Sequence, residues 1–116
     1  MNSTNDKKST VSITRYGMGD GPEELRVLLL KNYLTLLEEG ALPAFITLYA
    51  DGVKLAINGS PVLEQLTALE RKGVKILICK TCLNYFGKLG EVAAGTVATR
   101  VDIMDAQNYC DKLIVL

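Results

Sequence analysis

The stretch VKILICKTCLNYFG, residues 74–87, decides how this chain folds. Val74 to Cys79 is apolar apart from one lysine and follows a glycine, so it reads as a strand covered on both faces, the kind found inside parallel sheets. Cys79-Lys80-Thr81-Cys82 ends that strand and Leu83 to Gly87 turns helical, which sets two thiols at a strand-to-helix junction. The same alternation extends outward. Upstream, Ser60, Pro61 and Glu64 start a helix that runs through Leu63, Leu66 and Leu69 to Gly73. Before it, Pro43 to Ala50 (PAFITLYA) is a second buried strand, followed by a loop through Asp51 and Gly52 and a helical turn at Val53 to Ile57. Further back, a helix is bracketed by Pro22 and Gly40, and Thr10 to Tyr16 (TVSITRY) alternates as a strand that GMGDG, residues 17–21, ends. Downstream come a short strand at Thr96 to Ala98, a helix at Val101 to Tyr109 and a last strand at Lys112 to Leu116.

Strands alternating with helices predict a three-layer α/β/α sandwich with a mostly parallel five-stranded sheet, flavodoxin-like or Rossmann-like, joined by right-handed crossovers. Leu25, Leu28, Leu29, Tyr33, Leu36 and Leu37 recur at three and four residues while Val27, Leu30 and Leu34 widen the stripe, so the first helix is expected to be deeply packed. Ligands of open parallel sheets collect beyond the carboxyl ends of the strands. Three segments are expected there: Gly17 to Gly21, Asp51 to Ser60 and Cys79 to Gly87. A length of 116 residues suits one core. A single domain is expected over residues 9–116, behind a flexible polar tail at residues 1–8.

Composition narrows the function. Thirteen basic residues balance thirteen acidic ones and no basic block stands out, so nucleic acid is not expected as a partner. The longest apolar run is four residues, far short of the roughly 20 that span a bilayer, so no membrane span is expected. No apolar leader is visible, and the protein is expected in the cytoplasm with its thiols reduced. There is no histidine, which removes imidazole base catalysis and imidazole metal ligands. Cys79, Cys82 and Cys110 remain as the strong nucleophiles.

Thiols at the start of a helix meet amide donors and the positive end of the helix dipole, so the Cys79/Cys82 segment is read as a site of stabilised thiolate. The alternative is that Cys79 is a small hydrophobe capping a strand. Cys110, at a helix end before the last strand, is read as a packing residue. Three thiols without imidazole make a poor closed site, and no metal is expected. GMGDG matches neither the dinucleotide fingerprint nor the P-loop and reads as a tight connection rather than a phosphate cradle.

The segment VKILICKTCLNYFGKLGEVAAG, together with GMGDG, GPEELRVLLLKNYL, the stretch LPAFITLYADGVKLAINGSPVLEQLTALERKGV and the ending YCDKLIVL, resembles the DsrE/DsrF-like sulfur-relay family, closest to the DsrE-like domain of YedF-type proteins. The resemblance covers the chain from about residue 9 to its end. It implies a small α/β sandwich that assembles into homotrimers or hexamers and passes sulfur, or selenium, as a cysteine persulfide. It assigns Cys79, eight residues before Gly87, as the persulfide acceptor, with Cys82 as helper. Relay subunits follow their cysteine with small residues and an arginine pair before that glycine, whereas this chain has Cys82 and then Asn84, Tyr85 and Phe86, leaving Lys80 and Lys88 as substitutes.

The sequence therefore predicts a cytoplasmic homo-oligomer that carries or transfers sulfur without a cofactor, taking it from a persulfide donor or a TusA-like protein. Two other functions stay open: an oligomeric interaction protein whose thiols only pack, and a CxxC thiol-disulfide redox protein.

Overall fold

The computed structural model describes residues 9–116, so the expected tail at residues 1–8 lies outside the described residues. Five strands form one parallel sheet: β1 (Ser9–Ile13), β2 (Phe45–Leu48), β3 (Lys75–Cys79), β4 (Thr96–Ala98) and β5 (Lys112–Val115). Their spatial order is β4-β3-β2-β1-β5. Four helices connect them: α1 (Glu23–Glu39), α2 (Leu63–Arg71), α3 (Lys80–Tyr85) and α4 (Arg100–Tyr109). The α/β sandwich with a parallel five-stranded sheet is the architecture that the sequence predicts.

The first four strands march in one direction across the sheet, and the chain then crosses back to place β5 beside β1. Right-handed crossovers put α1 and α2 on one face and α4 on the other. The sheet's two faces differ accordingly. Val11 pairs with Ile46, which pairs with Ile76; Ile13, Leu48 and Ile78 form the next row. All six are buried, and Leu30, Leu34, Leu66 and Leu69 of α1 and α2 are fully buried with them. The opposite face carries Thr10, Ser12 and Thr47, buried polar residues that need partners. They have them: Thr10 Oγ1 donates to the Ala106 carbonyl of α4 at 3.0 Å, Ser12 Oγ and Thr47 Oγ1 lie 2.6 Å apart, and Gln107 Nε2 donates to Ser12 Oγ at 3.1 Å. This polar layer fixes α4 across the sheet.

Helix α1 departs from the expected deep packing. Only Leu30 and Leu34 are fully buried, while Leu25, Leu28, Leu29 and Leu36 are 44, 53, 40 and 68% exposed. A helix apolar on nearly every side gives no phase to its stripe, so periodicity could not say which leucines meet the sheet. The line that does runs Leu30, Leu34, Leu37, at steps of four and three.

Strand β1 ends at Ile13 rather than Tyr16 because the chain after β2 folds over it. Gly52 sits so close that a Cβ there would lie 2.2 Å from the Ile13 carbonyl oxygen, which requires glycine. The helical turn expected at residues 53–57 is a longer 3-10 helix, Ala50–Ala56. A second, Leu89–Glu91, leads into an antiparallel bridge between Ile57 and Val92 that stitches the two loops together.

Candidate functional site

An open cleft of about 410 Å³ lies at the carboxyl edge of the sheet, and of the three segments that the sequence places there Asp51 to Ser60 lines it. Asp51, Lys54 and Ser60 line it from that segment, Glu23 and Arg26 from α1, and Tyr16 and Lys88 from positions just outside the other two segments. Its charges are largely spoken for. Lys54 pairs with Asp51 at 3.1 Å and Lys88 lies 3.5 Å from Glu91. The Arg26 guanidinium donates to the Gly21 carbonyl at 2.7 Å. Arg15 donates to the Gly19 carbonyl, so the glycine loop bonds to its own flanking arginines as a tight connection.

Neither Cys79 nor Cys82 lines this cleft; both sit at the junction of β3 and α3. Cys79 is the last residue of β3 and the residue before α3, and it is 0% exposed. Its backbone pairs with Ala98 at the end of β4. Helix α3 starts at Lys80, earlier than the expected Leu83, so Cys82 is its third residue and lies one turn beyond Cys79. The Cys79 thiol, one turn before Cys82, acts on it by raising its pKa. Cys82 is half-buried, and it is the thiol of the pair that reaches the surface. Cys79 is packed in the core cluster at the strand end and does not open onto the cleft.

A second contact defines the Cys82 sulfur. The Ala50 backbone N–H donates to Cys82 Sγ at 3.1 Å. Ala50 is the one non-glycine among the described residues with a positive φ, 54°. That left-handed turn carries the chain from β2 into the 3-10 helix and aims the N–H at the thiol. Arg100, the first residue of α4, stacks on the ring of Tyr49, with its guanidinium carbon 5.3 Å from the ring centroid. Lys54 lies 4.2 Å from the centroid of Phe86, which bounds the same region from the end of α3.

Electrostatically the site is balanced. Burial pushes the Cys82 thiol up, the Ala50 N–H pulls it down, the Cys79 thiol raises it again and Arg100 lowers it; the sum lies above the ordinary cysteine value. The expected stabilised thiolate is not realised at Cys82. Desolvation exceeds the help from one N–H and one exposed cation, and α3 is a helix of only six residues.

Cys110 stands apart. It follows α4 at the amino edge of the sheet, hydrogen-bonded with Thr10 Oγ1 and with the Ala106 carbonyl. The structure brings Cys79 and Cys82 together and leaves Cys110 at the opposite edge as a packing residue. Sequence reasoning missed Tyr49, Ala50 and Arg100. Their one signal is position: Tyr49 and Ala50 directly follow β2 and Arg100 follows β4, the strands flanking β3.

The model of the DsrE/DsrF-like family matches residues 16–116. Among solved structures, the ychN protein from E. coli superposes with a TM-score of 0.67 at 22% identity, covering 94% of this chain and 99% of that one. MTH1491 from Methanobacterium thermoautotrophicum, a protein of unknown function, gives 0.67 at 20% identity, covering 96% and 100%. BT1422 from Bacteroides thetaiotaomicron, also of unknown function, gives 0.68 at 16% identity, covering 99% and 100%. At these identities the structures speak for the fold. No curated protein matches the chain.

Proposed function

The chain belongs to the DsrE/DsrF-like family, and on that premise we propose that it is a carrier of sulfur, or of selenium, working through a persulfide at the Cys79/Cys82 pair. The observation that carries this reading is the pairing itself: a buried thiol that ends β3 and, one helical turn on, a surface-reaching one at the carboxyl edge. Access reverses the roles that the resemblance implies. Cys82 is the receiving thiol and Cys79 the resolving one.

In the proposed reaction Cys82 loses its proton to water, and its thiolate attacks the outer sulfur of a donor persulfide R–S–SH. The Cys82–S–SH bond forms and the donor leaves as R–S⁻, which takes up a proton. An acceptor thiolate then takes the outer sulfur and regenerates the Cys82 thiolate. Without an acceptor, the Cys79 thiolate attacks Cys82 Sγ. A Cys79–Cys82 disulfide forms and HS⁻ leaves, so the two cysteines are oxidised as the carried sulfur is reduced; an external thiol resets the pair. No cofactor enters.

The same reading includes a persulfide donor, a TusA-like protein among the candidates, a cytoplasmic setting and assembly into homotrimers or hexamers. The exposed leucines of α1 support assembly, since contiguous apolar surface of this kind marks an interface. No helix among the described residues is long and apolar enough to cross a membrane.

The test is persulfide loading of single variants by polysulfide, read by mass spectrometry. Cys82→Ser is expected to gain no sulfur at this site, and Cys79→Ser to load and hold it longer. Loading retained in Cys82→Ser and lost in Cys79→Ser would restore the roles that the family resemblance assigns. Absence of loading in the unmodified protein would leave the interaction-protein reading.

A further inference from the structure

We infer that Arg100, held against the Tyr49 ring, is the cation that serves the Cys82 sulfur, and that the site therefore favours sulfur donors arriving as anions, a persulfide or thiosulfonate anion over a neutral disulfide. The donor class rests on the sulfur-carrying reading above; the charge preference of the thiol does not. Strands β2, β3 and β4 end side by side, so the residues just past them, Tyr49 and Ala50, Cys79 to Cys82, and Arg100, are brought to one patch of the carboxyl edge.

Each member is held by its neighbours. Thr99 and Asp102 form a reciprocal cap, with the Asp102 N–H donating to Thr99 Oγ1 at 3.1 Å and the Thr99 N–H to Asp102 Oδ2 at 3.2 Å. That fixes the first turn of α4 and with it the origin of Arg100. The Tyr49 ring then gives the guanidinium a face to rest on. Tyr49 precedes Ala50, whose N–H donates to Cys82 Sγ, so the ring that holds the guanidinium is one residue from the amide that contacts the sulfur. Asp102 is engaged in the cap, and Arg100 has no ion-pair partner among the described residues.

The other charges near α3 are accounted for. From the 3-10 helix Ala50–Ala56, Asp51 and Lys54 close on each other; from Leu89–Glu91, Glu91 meets Lys88; β3 contributes the Cys79 thiol, and Lys80 is exposed on α3 itself. Arg100 lowers the cost of charging Cys82, and it does so from an exposed position where an incoming anion meets it first.

Charge-matched alkylating reagents give the test. Rates of Cys82 modification by iodoacetate and by iodoacetamide are measured at low salt by peptide mass spectrometry in the unmodified protein, Arg100→Gln, Arg100→Lys and Tyr49→Leu. The iodoacetate-to-iodoacetamide ratio is expected to fall about threefold in Arg100→Gln, the size of effect one exposed charge exerts. Arg100→Lys should restore most of it and Tyr49→Leu should lose part, and added salt should lower the ratio in the unmodified protein. A ratio equal in the unmodified protein and Arg100→Gln, or insensitive to salt, overturns the inference even if sulfur loading is normal. A ratio that moves as expected in a protein that takes up no sulfur upholds the inference and removes the sulfur-carrying reading instead.

Discussion

Replacing Ala50 by glycine should make the protein more stable, an unusual direction for a glycine substitution. Ala50 holds φ at 54°, where a Cβ crowds the following carbonyl at a cost of about 1–2 kcal/mol. Glycine removes that cost. It also loosens the unfolded chain, which takes back about 0.4–1 kcal/mol. The methyl group itself contributes little, because Ala50 is exposed. The net is a gain of about 0.5–1 kcal/mol, or roughly 2–4 °C in melting temperature for a domain of this size. Thermal melts followed by circular dichroism, with urea titration at fixed temperature, measure both quantities. A loss of stability beyond about 0.5 kcal/mol in Ala50→Gly would refute the claim that strain is stored where the chain delivers its N–H to Cys82.

Other substitutions probe the framework. Gly52→Ala should cost more than about 2 kcal/mol or prevent folding, since its Cβ would meet the Ile13 carbonyl carbon and oxygen, and urea midpoints will show it. Ser12→Ala leaves Thr47 and Gln107 without their shared partner and should cost about 1–3 kcal/mol by the same titration. Leu28→Asp combined with Leu36→Asp should leave folding within about 1 kcal/mol while light scattering shows a smaller assembly, because both side chains face outward. Because the folded protein raises the Cys82 value, this thiol's contribution to stability is fully present below the unfolded cysteine value and fades as pH rises through the folded one. Urea midpoints should therefore fall above about pH 9 in the unmodified protein more than in Cys82→Ser.

The elements were legible because their signals are local. Gly73 before VKILIC, and Pro22 and Gly40 around the leucine-rich helix, mark boundaries that the structure keeps to within a few residues. The carboxyl-edge placement of the thiols followed from the alternation alone. What escaped the sequence depends on long-range packing. Nothing in the helix itself says that Leu30 and Leu34 turn to the sheet while Leu28 and Leu36 do not. The polar layer of Thr10, Ser12, Thr47 and Gln107 is invisible as well, because TVSI reads as an ordinary alternating strand and FITL as a buried one until α4 lies across them. The buried state of Cys79 and the approach of Arg100 to Cys82 depend on which strands neighbour β3, and strand order is not written in any single segment.

The central claim is that sulfur passes through the Cys79/Cys82 pair by way of its surface-reaching member. Pulse exposure to a persulfide donor carrying isotopically labelled sulfur, with samples quenched over time and mapped by peptide mass spectrometry, tests it most directly. The account predicts that label appears first as one added sulfur on Cys82. Without an acceptor it then leaves as labelled sulfide while a Cys79–Cys82 disulfide accumulates at the same rate. Label arriving first on Cys79, or on Cys110 alone, or sulfide release with both thiols still free, would contradict it.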